Sequence, residues 1–370
     1  MKICFILATR PEIIKCSPLI KLFKKKGIKF FLIHTGQHYS NNLDKIFFRD
    51  LKLTKPKYNL HIKSKSPINE GEHTGKMIIG IEKILLKEMP DYVIVHGDTN
   101  TTLAGALTVR KLFTKTNFLK KQIRLVHLEA GLRSFDNLMP EEINRVAADH
   151  LSDILYTPTK ISYNNLKKEG LHERKKILVT GNTIIEAVKE NIKSAKKINT
   201  LKKFSLDKEK FFLLTLHRPE NVDNLFRLKN IIYTIDKLSI KYKFLVIFPI
   251  HPRTKKNLKK FKIKVKNIKF LDPTNYMDFL NLQKNAKIVF TDSGGVQEES
   301  CILKTPCVTL RKNTERPETV TVGSNIISGY NPSKIFKDSK KMLNIKRAWR
   351  IPFGNGNACK IILKHLKSIY

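Results

Sequence analysis

The chain is short of acid and of cysteine, and it has no long apolar run. Its 370 residues carry 32 Asp and Glu against 71 Lys and Arg, a formal charge of +39. The five cysteines, Cys4, Cys16, Cys301, Cys307 and Cys359, are an odd set without a C-x-x-C pair. That excludes a zinc knuckle and a disulfide framework and suits a reducing cytoplasm. No stretch approaches the roughly 18 apolar residues that span a bilayer, and the apolar start at residues 3–8 is too short for the core of an export signal. A soluble, cytoplasmic protein without membrane insertion is expected. Neither G-x-x-x-x-G-K-[ST] nor G-x-G-x-x-G occurs, so neither an NTPase phosphate loop nor the usual dinucleotide fingerprint is supported. His73 and His127 do not stand at ligand spacing from another His, Cys or carboxylate, and no metal is expected. There is no repeat of 20 to 50 residues and no low-complexity tract beyond the lysine content.

A basic excess of this size ordinarily points to nucleic acid or an anionic membrane. Here lysine is spread along the whole chain, which reads as a solvated surface. The densest tract, residues 255–269, contains Phe261 but little else that could stack on bases, so no nucleic-acid partner is expected.

What the sequence does have is rhythm. The 41% of the chain that is apolar can fill two cores. Short β-rich runs at residues 2–8, 29–35, 92–96, 124–128 and 154–156 alternate with helical patterns opened by Pro11, following Thr99 and near 141–151. A second series follows at 210–216, 243–250, 268–271, 287–291 and 307–310. Thr180–Gly181–Asn182, a helical pattern and a weakly apolar, lysine-rich stretch at 193–210 separate the two series. The reading is α/β: two Rossmann-like doubly wound domains facing a cleft, with ligands met at the carboxyl ends of parallel strands.

Reactive residues fall at those strand ends. Thr9–Arg10–Pro11–Glu12 closes the first strand, and Lys15 lies one helical turn on, so two cations and a helix N-terminus could receive an anion. Equally, Pro11 could be an ordinary first-turn proline and Lys15 a surface residue. Asp98 and Glu129 each follow a strand, and Pro140–Glu141–Glu142 opens a helix. Asp98 could cap its helix, and the glutamates could answer the dipole. Several carboxylates at one sheet edge, however, raise one another's pKa and make acid/base partners. His217, with Arg218, ends a strand of the second series. Thr291–Asp292–Ser293–Gly294–Gly295 joins a strand to a helix, where backbone amides and the Ser293 hydroxyl could cradle a phosphate; a tight turn is the alternative. Glu299, six residues on, could hold a ribose diol. Arg316 adds a fixed positive charge in a loop.

Taken in order, Ala8–Thr9–Arg10–Pro11–Glu12 with Lys15, Gly36–Gln37–His38, His96–Gly97–Asp98–Thr99, Glu129–Ala130–Gly131–Leu132–Arg133, Pro140–Glu141–Glu142 with Asn144–Arg145, Thr180–Gly181–Asn182, His217–Arg218–Pro219–Glu220–Asn221, Asp292–Ser293–Gly294–Gly295 with Gln297–Glu298–Glu299, and Thr314–Glu315–Arg316–Pro317–Glu318 resemble the non-hydrolysing UDP-N-acetylglucosamine 2-epimerases. The resemblance runs from about residue 1 to 360. It implies the GT-B architecture, with domains at 1–182 and 183–355 and a C-terminal helix at about 356–370 returning to the first. It implies reversible conversion of UDP-GlcNAc to UDP-ManNAc by loss of UDP to 2-acetamidoglucal and its re-addition, with no metal or nicotinamide cofactor. A homodimer serving a cell-surface polysaccharide or glycan pathway is implied as well. Carried over by position, Asp98, Glu129 and Glu141 would form the acid/base group and His217 would act near sugar and diphosphate. Arg10, Lys15 and Arg316 would hold the diphosphate, Ser293, Gly294 and Gly295 a phosphate, and Glu299 the ribose.

Two departures bear on recognition. Pro273–Thr274–Asn275–Tyr276 stands where relatives often carry Pro-Gln-Glu-Tyr, so Thr274 lacks an amide for uracil, while Phe279 is available to stack on the base. Glu72–His73–Thr74 replaces an Arg-Gln-Thr tract that joins a second, activating UDP-GlcNAc in bacterial relatives, and an acid there would repel a diphosphate. Runner-up readings are a 2-epimerase of a UDP-2,3-diacetamido uronic acid and a GT-B UDP-sugar glycosyltransferase.

Overall fold

The computed structural model describes residues 1–36, 48–62, 69–113 and 122–370. Gln37 and His38 lie outside the described residues. The chain forms two units, Met1–Ala187 with Phe353–Tyr370, and Val188–Pro352.

The first unit is built on β1 (Lys2–Leu7), β2 (Lys29–His34), β3 (Tyr58–Asn59), β4 (Tyr92–His96), β5 (Arg124–Leu128), β6 (Ile154–Thr157) and β7 (Lys176–Val179). They form one sheet in the order β3-β2-β1-β4-β5-β6-β7, and every pairing is parallel. Central strands such as Lys-Ile-Cys-Phe-Ile-Leu are almost continuously apolar because helices cover both faces. Cys4, Ile6, Val93, Val95 and Leu125 pack with Met77 and Ile81 of the Glu70–Glu88 helix and Val109 of the Asn100–Phe113 helix. Chain order reverses between β1 and β4, the position at which open α/β sheets bind ligands.

The second unit repeats the plan with β8 (Phe211–Thr215), β9 (Leu245–Pro249), β10 (Ile268–Leu271), β11 (Ile288–Thr291), β12 (Cys307–Thr309) and β13 (Asn325–Ile327), ordered β10-β9-β8-β11-β12-β13 and again all parallel. Alternate residues of β8 serve opposite cores: Phe212 meets Phe290 edge-on at 5.5 Å, while Phe211 and Leu213 join Leu282 and Val289 on the other face. The reversal here lies between β8 and β11, where Thr215 pairs with Thr291.

After Pro352 the chain rejoins the first unit. The amide of Asn182 donates to the Phe353 carbonyl at 2.9 Å. Gly181 has φ +84°, and a Cβ there would meet that carbonyl oxygen at 2.9 Å, so glycine is required by both conformation and space. Among the described residues no helix is long and apolar enough to cross a membrane.

Candidate active site

At the switch point of the first sheet, Thr9 caps the Arg10–Lys25 helix, and Glu12 closes a capping box by accepting from the amides of Ala8 and Thr9 at 2.8 and 2.7 Å. Glu12 is therefore a structural carboxylate, and burial raises its pKa against the hydrogen bonds from Thr99 and Thr9. Arg10, half-buried, opens the helix. One turn on, the buried Lys15 ammonium pairs with Glu129 Oε1. That oxygen also accepts from Asn182 Nδ2 at 2.7 Å, while Oε2 lies 3.9 Å from His96 Nε2. Glu129 itself has φ +66°, a conformation that costs a non-glycine residue of order 1 kcal/mol or more and persists where surrounding contacts over-determine it. Burial lowers the His96 pKa to about 4, with Glu129 opposing that shift, so the ring is neutral near pH 7.

The second carboxylate of this edge is held differently. Asp98 Oδ2 pairs with Arg145, which also reaches Glu142 Oε2 at 2.5 Å one turn earlier on the Pro140–Leu151 helix. Glu142 in turn accepts from the Ser134 amide at 2.9 Å, the Ser134 hydroxyl at 2.8 Å and the Phe135 amide at 3.0 Å. Asn144 donates to the Asp98 carbonyl at 3.0 Å. Glu141 is half-buried in the first turn of this helix.

Beneath Asp98 and Glu129 lies a buried ionic layer. His127 joins Asp149 Oδ1 and the Gly97 carbonyl at 2.8 Å each. Asp149 Oδ2 accepts from the Gly131 amide at 3.0 Å and from Arg133 at 2.7 Å, and Arg133 grips Glu169 with two 2.7 Å bonds. Burial works against ionisation of Asp149, but the hydrogen bond and charge of His127, with Arg133, overcome it and leave its pKa below the ordinary value. The backbone turns that present Asp98 and Glu129 are thereby pinned from below.

In the second unit, the register that pairs Thr215 with Thr291 sets His217 beside Asp292. Asp292 is fully buried; it lies 3.0 Å from His217 Nδ1 and accepts from the amides of His217 and Arg218 at 3.1 and 3.0 Å. Burial opposes its ionisation, yet His217 and these amides hold its pKa low. With Nδ1 turned to the carboxylate, Nε2 is the nitrogen of this half-exposed ring left for a ligand. The two glycines that follow have different tasks. A Cβ on Gly294 would meet Glu315 Oε1 at 2.1 Å, so this glycine admits the carboxylate that pairs with Arg311 at 2.8 Å, whereas nothing lies within 4 Å of a Cβ on Gly295. Ser293 is the N-cap of the Gly294–Leu303 helix. Arg316 Nε lies 2.8 Å from the buried Glu298, and Glu299 Oε1 accepts from the Tyr276 hydroxyl at 2.9 Å.

The structure thus brings Lys15 to Glu129 and places Arg316 on Glu298, so both cations have carboxylate partners that the residue pattern did not reveal. Phe279 is half-buried against the Phe211 and Val296 cluster, and Thr274 lies in the loop after β10. Glu72 pairs with Lys76 on the exposed side of its helix. Residues the pattern quoted without assigning a task, Arg145, Asn182 and Asp292, prove to be the immediate partners of Asp98, Glu129 and His217. The signal was present for Glu142 and Arg145, which stand three apart on one helix. For Asp292 it lay in the parallel register. His96 carried no sequence signal beyond its strand-end position.

The profile of a family described as UDP-N-acetylglucosamine 2-epimerase matches residues 21–367. A UDP-N-acetylglucosamine 2-epimerase of Methanocaldococcus jannaschii is 54% identical over 374 residues, covering 99% of each chain. One of Methanococcus maripaludis is 53% identical, covering 98% of this chain and 97% of its own. The crystal structure of the Methanocaldococcus jannaschii UDP-GlcNAc 2-epimerase in complex with UDP-GlcNAc and UDP aligns over 100% of both chains with a TM-score of 0.91 and 54% identity.

Proposed function

The chain belongs to the UDP-N-acetylglucosamine 2-epimerase family and is an isomerase of UDP-GlcNAc; from that premise we propose that it works by eliminating and re-adding UDP, with the first unit handling the sugar and the second the nucleotide. The C2 proton is not next to a carbonyl, so a base removes it as the C1–O bond to UDP breaks, giving 2-acetamidoglucal and UDP. Protonation on the other face of C2 and return of UDP to C1 gives UDP-ManNAc. Asp98, Glu129 and Glu141 supply base and acid, and coupled carboxylates can share those roles. The observation that carries this reading is Glu129, a buried carboxylate in a left-handed backbone conformation, fixed by a cation and an amide at the carboxyl edge of the sheet.

His217, oriented by Asp292, acts beside the leaving diphosphate. Arg10, Lys15 and Arg316 offset its developing charge, and Ser293, the Gly294 amide and the open face at Gly295 receive phosphate. Glu299, steadied by Tyr276, meets the ribose; Thr274 and Phe279 meet the uracil. No cofactor takes part. We also propose a homodimer, supported by the exposed Ile79, Leu86, Phe135, Leu138 and Ile143 of the first unit, and a cytoplasmic site, supported by five buried free thiols.

Incubation with UDP-GlcNAc in D2O, followed at C2 by NMR, tests the chemistry. UDP-ManNAc should form with deuterium entering C2 and no net loss of UDP-sugar. Inversion with the C2 proton retained, or transfer of the sugar to an acceptor, would overturn the elimination route. Light scattering on a sizing column tests the dimer, which a monomer mass would refute.

A further inference from the structure

Three polar groups of one residue reach three different elements. The Asn182 side-chain Nδ2 donates to Glu129 Oε1 at 2.7 Å, its Oδ1 accepts from the Ile184 amide at 3.0 Å, and its backbone amide donates to the Phe353 carbonyl at 2.9 Å. Ile184 begins the Ile184–Ala195 helix, along which the chain passes into the second unit after Ala187, and Phe353 is the first residue of the returning segment. The same helix is tied to the returning segment once more, where the Cys359 amide donates to Glu186 Oε1 at 3.0 Å. Asn182 is 2% exposed, and it lines one small cavity with Glu129, Tyr156 and Thr180.

Asparagine is the side chain this position requires. It needs a donor toward a carboxylate and an acceptor toward an amide at the reach of one short side chain. Aspartate keeps the acceptor but sets a like charge against Glu129. Alanine removes both, and glutamine is one methylene too long for a buried place.

We propose that Asn182 is a positioning residue for the epimerisation, fixing the Glu129 carboxylate and anchoring it to both places where the chain passes between its units. The inference rests on the role given to Glu129 in the elimination. Its physical content is that Oε1 is held by Lys15 and Asn182 together, so the carboxylate rotor is fixed and Oε2 is the oxygen turned to the His96 and Gly97 side. Among the described residues, charged and titratable groups that face Glu129 include Lys15 and Cys16 of the Arg10–Lys25 helix and His96 at the end of β4.

Asn182→Asp and Asn182→Ser test this in the full chain, with wild type assayed beside them on UDP-GlcNAc. Both variants keep an oxygen that can accept from the Ile184 amide, and serine is too short to reach Glu129. Loss of one hydrogen bond to a charged group predicts a kcat lower by roughly 10- to 100-fold, with KM for UDP-GlcNAc unchanged within about threefold. In Asn182→Asp the acidic limb of the kcat–pH profile should also move to higher pH, because a second carboxylate disfavours ionisation of the first. In Asn182→Ser that limb should move the same way by less, because the carboxylate loses a donor without gaining a like charge. A merely structural role would lower the melting temperature and the active fraction without moving the limb. Wild-type kcat and pH profile in either folded variant would overturn the inference. If Asn182→Asp does not fold, the kcat of Asn182→Ser together with its acidic limb decides. A wild-type enzyme with no turnover of UDP-GlcNAc would instead sink the functional reading on which the inference stands.

Discussion

The two sheets present opposite chemistry at corresponding edges. In the first unit carboxylates are held by bases: Asp98 by Arg145, Glu129 by Lys15. In the second, bases are held by carboxylates: His217 by Asp292, Arg311 by Glu315, Arg316 by Glu298. The same kind of buried ion pair thus recurs at both edges, and at His217 the base is the more exposed partner. In the proposed reaction the first edge supplies the acids for proton transfer, and the second adds Arg316 and an imidazole to the Arg10 and Lys15 cations that face the leaving diphosphate. The histidines show the same contrast. His96 is buried beside Glu129 and neutral, while His217 is half-exposed with a buried carboxylate behind it.

The comparison breaks first if its acids are dispensable. Glu129→Gln keeps the shape of the side chain and removes its charge, and turnover should fall by about 10²- to 10⁴-fold. In the second unit Asp292→Asn should lower kcat by about 10²-fold, because an amide can donate to His217 Nδ1 and so favour the wrong tautomer. Initial rates from a coupled UDP-ManNAc assay check both, and a larger effect at Asp292 than at Glu129 would invert the assignment of the two edges.

The histidine contrast is sharpened by pH. A His96 pKa of about 4 in the folded state, against about 6.5 when unfolded, means that only the unfolded chain takes up this proton between those values. Stability should therefore fall by about 3 kcal/mol from this group as pH drops from 6.5 to 4, and stay level above 6.5. Urea titrations at several pH values should show a shallower fall for His96→Asn. For Asp292 and Asp149, whose pKa values are also lowered on folding, the sign is the same but the window lies lower: their contribution is complete well above the unfolded value of about 4 and is lost as pH falls through that value towards the folded-state ones.

The smallest effect separates the two glycines. Gly294→Ala must displace Glu315 and should cost about 1–3 kcal/mol, the range for overpacking a filled site. Gly295→Ala meets nothing and should leave thermal stability within about 0.5 kcal/mol while weakening UDP binding in calorimetry. Equal melting temperatures for the two variants would show that Glu315 yields easily.

Much of this arrangement was legible because a parallel sheet makes strand ends converge. Runs ending at Ala8, His96, Leu128, Leu216 and Thr291 put Arg10, Asp98, Glu129, His217 and Ser293 at carboxyl edges without knowledge of a single contact. Strands with little apolar length escaped: β3 is two residues long, and β7 and β13 lie at sheet edges where burial demands less. Side-chain partners were the least readable. Nothing in Asp292–Ser293–Gly294–Gly295 shows that one glycine admits Glu315 from twenty-one residues away, and nothing in Lys15 shows that its ammonium meets Glu129. Those choices depend on where loops return, and loop return is set by packing across the fold, not by local pattern.

The returning segment has a consequence for the order in which the protein can be made. The second unit is one unbroken stretch, Val188–Pro352, and has all of its residues before Phe353 is synthesised. The first unit, begun earliest, lacks the carbonyl that anchors Asn182 and the helix that packs beside Tyr156 until the segment after Pro352 emerges from the ribosome. The half whose residues come first is completed last, and its Glu129 edge is locked only after every residue of the second unit has been made.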